Sequence, residues 1–134
     1  MIRIEEGIEE CLALGYQCSD IIAEQPVEVL TEDELRALLA ACKGNTFEGR
    51  RDTALLRLLV STGARVSELT GLTVDDIDLD AREATVMGKG GRARVLPLSP
   101  KSVRDLDRYL RVRSQRSQPN VPALFVGKRG PVGP

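Results

Sequence analysis

The sequence predicts an α+β fold, mainly helical, with a small antiparallel β-sheet of about three strands. Three observations carry that prediction. Apolar residues recur at helical 3,4 spacing between Thr31 and Ser61, alternate with polar ones on both sides of "GKGG" at residues 88–91, and return to helical spacing after Ser99. A period that changes from 3.6 to 2 and back marks helices flanking a hairpin.

The first secure helix begins at "TEDELRALLAAC". Thr31 is placed to cap it, Glu34 three residues on completes a capping box, and Leu35, Leu38, Leu39 and Cys42 fall on one face. A second helix is expected over about residues 49–61. Its Ala54, Leu55, Leu56, Leu58, Leu59 and Val60 are apolar almost all round, as in a helix packed on several sides at the centre of a core. Gly63 ends it, and "RVSELTGL" supplies one or two further turns before Gly71 stops them.

The stretch "DDIDLDAREATVMGKGGRARVLPL" then reads as a short strand near Ile77 and Leu79 followed by a hairpin with a glycine-permissive tip. In "SPKSVRDLDRYLRVRSQRSQ", Ser99 is placed to cap and Pro100 to open a helix running to about Arg116. Val103, Leu106 and Leu110 form its apolar stripe, opposite a basic face. "PNVPALFVGKRGPVGP" adds one short apolar run, Ala123 to Val126. Residues 1–28, with Gly7 and Gly15 between short apolar clusters and "EQPVEV" at their end, read as a tail and linker, leaving residues 29–134 as the main domain.

A chain of 134 residues accommodates one modest core rather than two domains. With 42% apolar and 29% charged residues it has the make-up of a soluble globular protein. Its longest apolar run, Ala37 to Cys42, is far short of the roughly 20 residues a membrane span needs. The acidic N-terminus "MIRIEEGIEECLALGYQC" lacks the pattern of a secretory signal, so a cytoplasmic protein without a membrane role is expected. Cys11, Cys18 and Cys42 are odd in number, far apart and accompanied by no His, which predicts neither a disulfide framework nor a metal site.

The net charge of −1 conceals a division along the chain. Residues 1–48 carry eleven acids against three bases, and residues 49–134 carry sixteen bases against nine acids. From Val86 onward eleven bases face two acids. A basic region of this kind attracts polyanions such as nucleic acid, although a solvated face has the same composition.

Within "STGARVSELTGL", Arg65 stands at a helix start directly after the buried helix, so packing fixes its backbone. Glu68, three residues on, is placed to hold its guanidinium. A fixed, planar guanidinium matches two phosphate oxygens and stabilises charge that builds on them during phosphoryl transfer. Lys89 at the hairpin tip has no packing role, and an ammonium there is able to donate a proton to a departing oxygen. Arg92 and Arg94, two apart on a strand, extend the positive surface, as do Lys101 and Arg104 on the following helix. Taken singly, R-x-x-E is equally an ordinary ion pair and a tip lysine equally a solubility device. "GKGG" lacks the spacing of a nucleotide-binding P-loop.

In combination, "LTEDELRALL", "RDTALLRLLVSTGARVSELTGLTVDDIDLD" and "VMGKGGRARVLPL" resemble the first half of the catalytic domain of tyrosine recombinases, the phage-integrase family, over roughly residues 29–130. The resemblance implies catalytic roles for Arg65 as the first arginine, Glu68 as the supporting acid and Lys89 as the hairpin lysine that protonates the leaving 5′ hydroxyl. It also implies double-stranded DNA as partner, a 3′-phosphotyrosine intermediate, and strand exchange without metal, ATP or other cofactor.

The second half of the family pattern, a His-x-x-Arg box, a later His or Trp and a late attacking Tyr, has no counterpart here. The chain contains no His and no Trp, and its two tyrosines, Tyr16 and Tyr109, stand at positions that suit packing rather than attack. The expectation is therefore an incomplete catalytic domain, truncated or split, inactive alone. Its apolar face would await the missing C-terminal half or another recombinase protomer.

Overall fold

The capping box at Thr31 forms as the sequence predicts. In the computed structural model, which describes residues 28–116 and 120–133, Thr31 N–H donates to Glu34 Oε2 at 2.8 Å and Glu34 N–H donates to Thr31 Oγ1 at 3.3 Å. They open helix α1, Glu32–Cys42. The chain divides into two units, residues 1–30 and 31–134, and every described helix and strand belongs to the second. The tail expected over residues 1–28, with Cys11, Tyr16 and Cys18, lies outside the described residues apart from Glu28.

Helix α2, Phe47–Thr62, begins two residues before the expected start. The cause is Thr46, whose Oγ1 accepts from Gly49 N–H at 3.1 Å and so caps the helix earlier. The helix buries Ala54 and Leu58 completely and packs Leu55 and Leu59 partly into the core, but leaves Val60 46% exposed. It is packed on fewer sides than its composition suggests. Gly63 ends it at φ +64, where a Cβ is disfavoured, and helix α3, Val66–Thr70, follows at once.

After a 3₁₀ turn at Val74–Asp76, strands β1 (Ile77–Asp78), β2 (Glu83–Met87) and β3 (Ala93–Pro97) form one antiparallel sheet in chain order. The β2–β3 register pairs Ala84 with Leu96 and Val86 with Arg94. Ala84, Val86 and Leu96 are buried in the core, whereas Met87 and Val95 are exposed. The hairpin tip takes positive φ at Gly90 and Gly91, which is why glycines stand there.

Helix α4, Pro100–Ser114, starts at the Ser99 cap, with Ser102 N–H donating to Ser99 Oγ at 3.1 Å. It packs on α2, and its buried line is Ser102, Asp105, Leu106, Tyr109 and Arg113. Val103 and Leu110, expected beside Leu106 in the apolar stripe, are only partly buried. Arg113, which continues the 3,4 spacing of Leu106 and Leu110, is buried. Its guanidinium donates to the carbonyls of Leu124 at 3.1 Å, Ala123 at 2.7 Å and Val121. These carbonyls belong to a closing segment that also bonds Leu124 N–H to Leu72 O at 2.7 Å and Val74 N–H to Pro122 O at 3.0 Å. Tyr109 stacks on Phe125 at 5.6 Å and lies 5.6 Å from Phe47, which completes the core.

Candidate active site

The turn from α2 into α3 fixes the backbone of Arg65. Thr62 Oγ1 donates to Leu58 O at 2.6 Å and accepts from Ala64 N–H at 3.2 Å, and Ala64 is itself buried. Arg65 then occupies the N-cap position of α3 with its side chain in solvent.

Glu68 is the hub of the site, in a different way from the sequence expectation. Its carboxylate does not hold the Arg65 guanidinium. Instead Oε2 accepts the backbone N–H of Arg65 at 2.9 Å and the Nη2 of Arg94 at 2.7 Å. An arginine at a helix N-cap has no acceptor to offer, so the first-turn acid satisfies the free N–H, half of a capping box. Arg94 comes from β3, so one carboxylate, its side chain only 8% exposed, joins α3 to the hairpin. The hairpin base lies close to it: a Cβ on Gly88 would sit 3.8 Å from Glu68 Oε1. The residue beside Lys89 and the backbone of Arg65 thus flank the same carboxylate. The Arg65 N–H, then the Arg94 guanidinium, hold the Glu68 carboxyl below the usual carboxylate range.

The Arg65 guanidinium and the Lys89 ammonium, both exposed, make no hydrogen bond or ion pair among the described residues. Arg92 falls in the hairpin loop just before β3 and is exposed. Arg94 shares its charge with Glu68 yet keeps 51% of its side chain exposed. Lys101 is exposed in the first turn of α4, and Arg104, also exposed, donates through Nε to Asp105 Oδ1 at 3.4 Å. Tyr109 is fully buried, donates to Leu124 O at 2.9 Å and accepts from Val126 N–H at 3.2 Å. Burial pushes its phenol upward, the reverse of an activated nucleophile. Among the described residues no three His, Cys, Asp or Glu side chains gather into a metal site, and no helix is long and apolar enough to cross a membrane.

An exposed guanidinium on a fixed backbone, tied through one acid to a lysine-tipped hairpin, sits on a helical α+β frame. The chain matches the phage integrase family over residues 28–132. It is 44% identical over 113 residues to the tyrosine recombinase XerD of Bifidobacterium longum, covering 77% of this chain and 37% of that protein. It is likewise 44% identical over 124 residues to the tyrosine recombinase XerC of Actinobacillus pleuropneumoniae, covering 92% of this chain and 37% of that one.

Among solved structures, XerA recombinase aligns with a TM-score of 0.65 at 28% identity, over 95% of this chain and 46% of that chain. The Tn1549 transposon integrase in complex with transposon right-end DNA aligns at 0.64 and 23% identity, over 88% of this chain and 44% of that chain, a likeness of fold. The chain belongs to the phage integrase family of tyrosine recombinases. It spans 37% of the length of these curated relatives.

Proposed function

We propose that this chain is the phosphate-gripping part of a site-specific tyrosine recombinase, binding double-stranded DNA at the strand to be cut and rejoined. The single observation that carries this is the Glu68 carboxylate, which accepts from the Arg65 backbone and from Arg94 beside the lysine hairpin. Arg65 grips the non-bridging oxygens of the scissile phosphate, where its charge matters most as the phosphorane-like state forms. Lys89 gives its proton to the departing 5′ oxygen. Arg92, Arg94, Lys101 and Arg104 contact neighbouring phosphates. No metal or other cofactor takes part, and the protein works in the cytoplasm.

The attacking hydroxyl comes from elsewhere. Tyr109 is locked in the core by two backbone partners, and the chain's composition includes no His for the His-x-x-Arg box. We therefore assign the nucleophile to a C-terminal half or another recombinase protomer. Val60 and Val66 are half exposed on consecutive helices and are available to such a partner. The absence of a free tyrosine hydroxyl among the described residues also favours a second function, a DNA-binding or protein-interaction module without chemistry.

A nicked suicide substrate separates the two. The chain alone is expected to yield no covalent protein–DNA product. Adding the second half of a relative's catalytic domain restores it for a recombinase part and leaves it absent for a binding module. Covalent product from the chain alone overturns the division of labour proposed here.

A further inference from the structure

A second basic site lies along α2, away from Arg65. The turn between α1 and α2, the outer face of α2 and α4 enclose an open cleft of about 530 Å³. Five cations line it, Lys43, Arg50, Arg57, Arg104 and Arg108, against a single carboxylate, Asp105.

The arrangement of that carboxylate distinguishes the cleft from a solvated basic face. The Asp105 side chain is only 6% exposed. Its Oδ2 accepts Arg57 Nε at 3.0 Å and its Oδ1 accepts Arg104 Nε at 3.4 Å. Both guanidiniums are thus oriented through Nε, and their terminal Nη groups have no hydrogen-bond partner among the described residues. The Arg104 side chain is 54% exposed and that of Arg57 19%. Arg50 adds a third guanidinium, bonded weakly to Arg108 O at 3.5 Å. Thr53 Oγ1 donates to Cys42 O at 3.1 Å and pins the turn that carries Lys43. Two guanidiniums bound to the two oxygens of one buried acid, with Nη groups unpaired among the described residues and further cations lining the same cleft, match the oxygens of a phosphate.

We propose that this cleft is a phosphate-binding site, separate from Arg65, that takes a backbone phosphate of bound DNA. Arg57 stands five residues before the end of α2, about 7.5 Å along the helix axis, and Arg65 lies beyond that end, past the left-handed turn at Gly63. Neither Arg65 nor Lys89 lines the cleft. The DNA source of the phosphate rests on the recombinase function proposed for Arg65; the phosphate chemistry does not.

The experiment compares the chain with a Lys43→Ala/Arg108→Ala double variant, two exposed positions outside the Arg65 site, checked for unchanged thermal midpoint. DNA affinity is measured across a salt series, and pyrophosphate is titrated while the backbone amides of Gly44 and Asn45 are followed by NMR. The expected result is that the variant binds DNA about 5- to 10-fold more weakly at about 0.1 M salt, with a log–log salt slope shallower by about 0.9 for each phosphate it no longer neutralises.

An unchanged DNA slope with pyrophosphate shifts that vanish in the variant supports the phosphate site and assigns it a free phosphorylated ligand. An unchanged slope together with no pyrophosphate shifts, or with equal shifts in both proteins, overturns the proposal. If Arg65→Ala leaves DNA binding intact while the cleft variant weakens it, the function proposed for Arg65 fails and the cleft stands.

Discussion

A Glu68→Ala chain is expected to lose the registration of its site. The substitution removes the acceptor for the Arg65 N–H and the partner of Arg94 in one step. The first turn of α3 then has an uncapped donor, and the hairpin loses its tie to α3. We expect DNA affinity to fall on the order of tenfold, because two groups proposed to meet the phosphate prearranged would have to be ordered on binding. The thermal midpoint should drop by about 5 °C. Amide shifts at Lys89 and Gly88, far from residue 68 in sequence, should move as much as those at Arg65. If only α3 responds, the carboxylate is a helix cap and does not link the two.

Glu68→Gln separates the contributions: it retains a carbonyl for the Arg65 N–H and loses the charge on Arg94, so an intermediate effect is expected. The pH dependence has a defined sign. The folded carboxyl sits below its ordinary range, so its contribution is present above about pH 4.3 and is lost as pH falls through the lowered folded value.

Tyr109→Ala carries the largest expected loss of stability. The ring is fully buried between Phe47 and Phe125, and its hydroxyl joins Leu124 O to Val126 N–H. Deleting it costs about 3–5 kcal/mol, a large share of the roughly 5–15 kcal/mol of a domain this size. Urea unfolding should show the midpoint collapse. Tyr109→Phe keeps the stack and leaves the Val126 N–H unpaired, for about 1–3 kcal/mol. DNA binding by Tyr109→Phe should equal that of the parent chain, as fits a core residue; a selective loss of binding would place the phenol at the DNA. Burial raises the phenol's pKa, so its contribution is intact below about pH 10 and disappears as pH rises through the higher folded value.

What was legible in the sequence was local. Thr31 with Glu34, Ser99 with Pro100, Gly63, and the glycine tip at residues 90–91 each determine structure through neighbours within four residues, and each does so here. The α+β class follows from them. Thr46 is a local signal too, but the apolar run that marks α2 begins later and hides the cap.

The proposed site takes its residues from the sequence, but the wiring between them was not legible there. R-x-x-E spacing suggests that Glu68 holds the Arg65 side chain, whereas the acid serves the Arg65 backbone and an arginine 26 positions later. Nothing in the chain between them encodes that partner; the β2–β3 register delivers it. Arg113 and Asp105 mislead for the opposite reason. Both are charged residues on an amphipathic helix, and both are buried because of what passes over them: the carbonyls of the closing segment for Arg113, and Arg57 of α2 for Asp105. The pairing of Asp105 with two guanidiniums is not readable from α4 alone.

The central claim is that Arg65 and Lys89 serve one phosphate. A double-mutant cycle in DNA binding tests it most directly, with Arg65→Ala, Lys89→Ala and the pair measured across a salt series. For a shared phosphate, either cation alone still neutralises it, so each single variant changes the log–log slope little and the double variant makes it shallower by about 0.9. Decrements that sum to about 1.8 in the double variant would mean two separate phosphates. That result would contradict the account.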